Sequence, residues 1–315
     1  MNRCPSFLLA LLGCAIALAE PATPPALAAS FDLHRPEIVA FINEVTQREG
    51  LKRKDVQRLL KQARPQQKII DMMSRPIEKV APWWEYRQHF LDPERVNDGA
   101  QFWADHRESL ERVAATYQVP PEYLVAILGV ETRYGRVTGH YRVLDALATL
   151  AFDYPPRHSY FAGELAQFMP SAYRRYAVAS GNDPRRDLWS DWDDILASVA
   201  NYLHENGWKP GEPVLAETRI APAATFHIEP HNLELNETVD SLGAHGVTVD
   251  AEVPADTPAL LILAEQPDGP AYRVGFHNFY VLTRYNASAR YAMAVHDLAR
   301  AVSQRVQAAT TAATP

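Results

Sequence analysis

The chain has 315 residues and a formal charge of −7, with 47% hydrophobic and 22% charged positions, an ordinary globular balance. A chain this acidic has no overall electrostatic reason to hold a nucleic-acid backbone. Its 11 Phe, 14 Tyr and 6 Trp exclude low-complexity disorder, and 24 Pro against 14 Gly favour helices and stiff connectors over a glycine-turned barrel.

Residues 1–19 read as a signal peptide. Arg3 precedes an apolar run from Phe7 to Leu18, and Ala17-Leu18-Ala19 supplies a small-x-small cleavage site. The run is too short for a permanent membrane span. Both cysteines, Cys4 and Cys14, fall inside it, so the exported body is expected to hold no disulfide and no thiolate metal site. Leu11-Leu12-Gly13-Cys14 also resembles a bacterial lipobox, which would lipidate Cys14 and associate the protein with the outer membrane. Residues 20–31 read as a tether.

Helical periodicity begins at Pro36, with Ile38, Phe41, Ile42 and Val45 on one face and Gly50 as the stop. Further helices are expected over 54–63, 66–74 and 93–118. Trp83-Trp84-Glu85-Tyr86 follows Pro82 as a connector whose aromatics lock a core corner or stack on carbohydrate.

The next helix, 122–131, is the informative one. Leu124, Ile127 and Leu128 share a face, and Glu131 falls on it at i+4 from Ile127. A carboxyl held against apolar neighbours resists ionisation and can donate a proton near neutral pH. The same position also suits a structural Glu paired with Arg133 or Arg136. Small and aromatic residues crowd its end, in Thr132-Arg133-Tyr134-Gly135. Helices over 144–151, 160–165 and 195–206 follow. Residues 212–276 change texture: Ala259 to Leu263 and Tyr272 to Phe276 read as strands around a Gln266-Pro267-Asp268-Gly269 turn, with a short helix at 238–244 and a further strand at 247–249. A final helix is expected over 278–307, with 308–315 as a tail.

Five motifs in order carry a resemblance: Gly129-Val130-Glu131-Thr132-Arg133-Tyr134-Gly135; Leu144-Asp145-Ala146-Leu147-Ala148-Thr149-Leu150; Gln167-Phe168-Met169-Pro170-Ser171; Ser198-Val199-Ala200-Asn201-Tyr202 with Gly207-Trp208; and Asn278-Phe279-Tyr280 with Thr283-Arg284-Tyr285-Asn286. The set resembles the membrane-bound lytic murein transglycosylase B family over residues 32–305. That resemblance implies a mainly α, lysozyme-like helical core (32–211 and 277–307) with a small α+β subdomain (212–276) flanking a substrate groove.

It also implies cleavage of the β-1,4 bond between N-acetylmuramic acid and N-acetylglucosamine in peptidoglycan, leaving 1,6-anhydromuramoyl ends. Glu131 would be the single acid and base. Tyr160, Gln167, Phe168, Tyr285, Asn286 and Tyr291 would bind substrate. Periplasmic glycan strands would be the partner, the chain is expected to be a monomer, and no cofactor is implied. Bottom-up, aromatic faces and side-chain amides suit sugars, and Asn286 reads as a mid-helix Asn, a low-propensity choice that needs a reason. Asp145, Asp153 and Glu164 form no opposing motif of the kind two-carboxylate glycosidases use.

Two departures from the family pattern stand out. The loop 179–190 matches a family calcium loop but retains only Asp183 and Asp187 as carboxylates, too few for a strong site. A few dozen residues expected between Leu165 and Gln167 are also missing. They would carry a serine bonded to the catalytic Glu and a glycine-rich turn forming the groove floor, so slow or absent lysis is expected. A binding or scaffold protein with weakened catalysis, and a muramidase that uses water, are the rival readings. Gly-x-Ser-x-Gly, phosphate-loop and dinucleotide fingerprints do not occur. His227 and His231 are four apart, but Pro230 opposes the helix that zinc spacing needs.

Overall fold

The computed structural model describes residues 30–74, 81–137, 139, 141–168, 177–180, 187–188, 190–229 and 232–312. The expected leader with Cys14, most of the tether, Asp183 and His231 lie outside the described residues, as do the side chains of Gln167 and Phe168. The described residues fall into two compact units, one made of 81–137 and 177–312, the other of 30–74 and 139–168. The stretch 32–211 is thus shared between units, and 212–276 belongs with the first.

The second unit is helical. It comprises α1 (Pro36–Glu49), α2 (Arg53–Leu60), α3 (Gln67–Met73), then α8 (Val143–Asp153), a 3-10 turn (Pro155–Arg157) and α9 (His158–Phe168). Ile38, Phe41, Ile42 and Val45 are buried as the periodicity predicts, and Gly50 closes α1 at φ 64°. Two polar positions one turn apart on α8 hold the approach to α3. Asp145 accepts the Arg64 N–H at 2.9 Å and Thr149 accepts that of Gln66 at 3.0 Å. Arg35 pairs with Asp153 at 2.6 Å and donates to the Phe152 carbonyl. Both acids on α8 therefore have structural duties.

The first unit holds α4 (Trp83–Gln88), α5 (Pro93–Asp105), α6 (Arg107–Tyr117), α7 (Pro121–Thr132) and α10 (Trp192–Glu205). A sheet region follows, then α12 (His277–Tyr285) and α13 (Ala289–Ala312). The 83–86 connector is helical, because Trp83 is wholly buried and its backbone N–H is anchored on Glu265 at 3.1 Å. The expected 93–118 helix breaks at His106, and the expected final helix breaks at Asn286. Helix α13 packs against α7 and α5, and α10 against α6.

Strands β1 (Leu215–Ile220), β2 (Glu237–Thr238), β3 (Val247–Val249), β4 (Pro258–Leu263) and β5 (Tyr272–Gly275) form an antiparallel sheet ordered β2-β4-β5-β1-β3, with α11 (Val239–Ala244) between β2 and β3. The apolar run of β4 is unbroken because both faces are covered. Leu260 and Ile262 enter the helical core, whereas Ala259 and Leu261 pack with Val274 and Leu242. Strand β1 had no clear sequence signal, since its outer half, Glu217 to Ile220, is largely exposed.

Asn278 ties this sheet region to the helices. Wholly buried on α12, it accepts the Lys209 N–H at 2.9 Å and donates to the carbonyls of Lys209 and Glu212 at 2.8 and 2.9 Å. Asn278→Ala strands all three backbone groups. A loss of about 2–4 kcal/mol in urea unfolding is expected; a change below ~1 kcal/mol would mean the 209–212 turn is held by other contacts.

Candidate active site

Helix α7 is apolar nearly all round, with every residue from Tyr123 to Glu131 buried. Pro121 starts it, and leucine, isoleucine and valine carry it into the core between α5, α6, α10 and α13. Glu131 sits on its last turn with 7% of its surface exposed. The ion pair that the sequence also allowed does not form. Arg133 pairs instead with Glu94 at 2.8 Å and lies near Asp92 and Asp98, while Arg136 pairs with Asp98 at 2.5 Å.

Glu131 Oε1 is buried without a hydrogen-bond partner. Burial pushes the carboxyl from an ordinary 4.5 up to about 7, and the Tyr291 hydroxyl, close but outside full hydrogen-bond geometry, pulls weakly the other way. A carboxyl poised at neutrality is suited both to give and to take a proton.

Tyr285 closes α12 and Tyr291 opens α13. Their rings stack at 6.3 Å with 9° between planes, and Tyr202 of α10 meets Tyr285 edge-on at 5.2 Å. Both ring hydroxyls are driven to high pKa by burial and by the nearby Glu131 charge. They stay neutral, so they can donate without competing for the ionised form. Asn286, expected mid-helix, is the residue at which α12 ends, with extended φ −141° and ψ 120°. Its unfavourable helix propensity is therefore no cost, because it sits in the corner between α12 and α13.

Glu131, Tyr285, Asn286 and Tyr291 all belong to the first unit. Tyr160, Gln167 and Phe168 belong to α9 of the second. Tyr160 is 48% exposed, with the Arg157 guanidinium 4.5 Å from its ring centre, so it is a surface aromatic rather than a core one.

One feature with no clear sequence signal is an open cavity of about 490 Å³ in the first unit, lined by Trp84, Arg87, Gln88, Asp92 and Gln266 among others. Trp84 adds an indole face beside side-chain amides, which the clustered aromatics alone did not place. Asp187 turns its carboxylate onto Ser190, accepting from its N–H at 3.0 Å and its hydroxyl at 2.5 Å. Asp194 accepts the backbone N–H groups of Ser180 and Asp187 at 2.7 and 2.8 Å. Among the described residues no group of three His, Cys, Asp or Glu converges as a metal site.

The Transglycosylase SLT domain family model matches residues 34–167 and 165–300, nearly all of the described chain. The chain belongs to this family. It is 36% identical to the membrane-bound lytic murein transglycosylase B of Escherichia coli, over 87% of this chain and 85% of that protein. The structure of the catenated lytic transglycosylase SltB1 from Pseudomonas aeruginosa superposes with a TM-score of 0.75 at 36% identity, covering 86% of this chain and 98% of that one. SltB3 from Pseudomonas aeruginosa, in complex with NAG-anhNAM-pentapeptide, superposes with a TM-score of 0.68 at 29% identity, covering 84% and 78%.

These transglycosylase relatives also bear on the shortened segment. The family match falls in two pieces that meet at 165–167. The Escherichia coli alignment runs over 312 positions while taking in only 87% of this chain, so several dozen positions face no residue here.

The electrostatics of Glu131 predict a pH signature of stability. Folded Glu131 holds its proton up to about 7, whereas an unfolded Glu releases it near 4.5. Stability from this group is therefore full below about 4.5 and is lost as pH rises to 7. Glu131→Gln, which stays neutral, should be more stable than the wild type at pH 8 by on the order of 3 kcal/mol, with the gain vanishing at pH 4. Thermal melts across that range check this; a pH-independent difference would contradict it.

Proposed function

We propose that this chain is a peptidoglycan lytic transglycosylase that cleaves the β-1,4 bond between N-acetylmuramic acid and N-acetylglucosamine and leaves a 1,6-anhydromuramoyl end. The observation that carries the reading is Glu131, a buried carboxyl with no ion pair, poised near neutrality beside two neutral tyrosines in a chain of this family. Protonated Glu131 gives its proton to the glycosidic oxygen, and the bond from that oxygen to the muramoyl C1 breaks. The resulting carboxylate takes the proton of the C6 hydroxyl as O6 bonds to C1. Glu131 ends protonated again, and no water is consumed.

The surroundings of Glu131 support this route over hydrolysis. The acids gathered at the start of α5, Asp92, Glu94 and Asp98, are all engaged with Arg133, and Asp98 also with Arg136. None of these three is left as the second carboxylate that inverting or retaining hydrolases need. Tyr285 and Tyr291 shield the carboxyl, and Asn286 offers an amide to an acetamido group at the same corner. Tyr160, Gln167 and Phe168 are the proposed sugar contacts of α9.

Peptidoglycan strands are the proposed partner and the periplasm the proposed place of action, either free or through a lipid on Cys14. Among the described residues no helix is long and apolar enough to cross a membrane.

Digestion of purified sacculi followed by mass spectrometry of the released muropeptides tests the reading. Anhydro ends are expected from the wild type. Reducing ends would show a muramidase, and intact glycan with measurable binding a scaffold protein. Glu131→Gln, nearly isosteric but unable to shuttle a proton, should lose more than nine-tenths of the rate while still binding glycan.

A further inference from the structure

The three residues that follow the last turn of α7 have left-handed backbone: Arg133 at φ 48°, Tyr134 at φ 58° and Gly135 at φ 80°. Only the last is a glycine. Two consecutive non-glycine residues in this region cost on the order of 1–2 kcal/mol each, and a glycine at 133 would have ended the helix without that cost. Such strain persists only where the surroundings over-determine it.

Those surroundings are visible. The Tyr134 N–H donates to the Leu128 carbonyl at 3.1 Å, and its side chain turns back beneath the helix it has just left. It fills a slot between Gly99 of α5 and Gly129 of α7. A methyl group on Gly99 would lie 2.5 Å from the Tyr134 hydroxyl oxygen, and one on Gly129 would lie 2.6 Å from it. That hydroxyl donates to the Arg95 carbonyl at 3.0 Å, and the Arg95 guanidinium returns a long bond to the Gly129 carbonyl at 3.4 Å. Phe102 stacks on the ring at 5.7 Å. Thr132 completes the bracket, donating to the Leu128 carbonyl at 3.1 Å and accepting the Gly135 N–H at 2.9 Å.

Glu131 stands inside this bracket, two residues after Gly129 and three before Tyr134, and its Oε1 has no hydrogen-bond partner to aim it. Beyond the weak pull of Tyr291, its orientation is set by the backbone that carries it. We infer that Tyr134 is a positioning residue for Glu131: seated between Gly99 and Gly129 with its hydroxyl on the Arg95 carbonyl, it fixes the strained turn after α7 and thereby aims the carboxyl and keeps water from it. This rests on the proposed role of Glu131. Tyr134 itself touches no reacting atom.

The inference separates from a plain packing role through kinetics. Tyr134→Phe keeps the ring in its slot and removes only the hydroxyl bond; Gly129→Ala keeps the hydroxyl and displaces the ring. Steady-state rates are read on soluble glycan strands trimmed of their peptides, across pH 5–9, beside thermal melts and with Glu131→Gln in parallel. The titratable groups around Glu131 are Tyr291 and Tyr285, with Tyr86 and Tyr202 behind them and Asp92, Glu94, Arg95, Asp98, Arg133 and Arg136 around the end of α7. All of them remain in both variants.

For Tyr134→Phe, kcat should fall about ten-fold with KM unchanged, as a sub-ångström misplacement of the acid implies. The alkaline limb of the rate should move to lower pH as water reaches the carboxyl. Gly129→Ala should do the same more strongly if it folds, and Tyr134→Phe decides alone if it does not. A folded Tyr134→Phe with kcat within two-fold of the wild type and an unmoved limb would overturn the inference. If Glu131→Gln kept its activity, the reading of Glu131 would fail and the positioning role with it. A dead Glu131→Gln beside an unaltered Tyr134→Phe would refute the positioning role alone.

Discussion

The Glu131 carboxyl is taken out of water and, among the described residues, given no charge to balance it. Desolvating an ionised carboxylate in an apolar interior costs several kcal/mol, and proteins ordinarily avoid this by pairing the group. Here the arginines at the end of α7 are directed elsewhere, Arg133 and Arg136 onto the acids of α5, and Arg95 of α5 turns to Asp92 and the Gly129 carbonyl. Glu131 therefore answers burial by holding its proton to about pH 7. The chemistry proposed for the chain depends on that one imbalance.

The rest of the first unit can be understood as what keeps the imbalance in place. Helix α7 must be apolar on all sides to desolvate the acid, so it needs partners on all sides, and α5, α6, α10 and α13 supply them. Helices α12 and α13 deliver two stacked tyrosines whose hydroxyls are polar but uncharged in the working range. The sheet is fused to this core through Leu260 and Ile262, and the turn beyond α10 is held to α12 by Asn278, so the aromatic corner rests on a rigid base. Two consecutive non-glycine residues take left-handed backbone in the turn after Glu131, and the Tyr134 ring holds them there.

Much of this was legible in the sequence, for identifiable reasons. Glu131 announced itself because a carboxyl on the apolar stripe of a helix violates the pattern around it, and α1 was marked by Pro36, Gly50 and a clean stripe. The family motifs pointed to Tyr285, Asn286 and Tyr291 together, and the chain brings Tyr285 and Tyr291 against Glu131. Other features depended on contacts distant in sequence. Residues 83–86 are helical because Trp83 is buried beside Glu265, some 180 positions away. The breaks at His106 and Asn286 leave no proline or glycine signal, so two long helices were expected where there are four. Whether Arg133 or Arg136 pairs with Glu131 was open from spacing alone, and the acids of α5, more than thirty residues upstream, take both arginines instead. The Tyr134 lock was also invisible, because Gly99 and Gly129 read as weak points of two helices until the ring between them is seen.

The most direct measurement of the central claim is the ionisation of Glu131 itself, followed by carbon NMR of carboxyl-labelled glutamates in the folded wild type, with the resonance assigned by its absence in Glu131→Gln. The account predicts a single glutamate whose midpoint lies near 7. A midpoint near 4.5 for that resonance would mean that the carboxyl is solvated or paired, and the proposed single-residue acid and base chemistry would lose its physical basis.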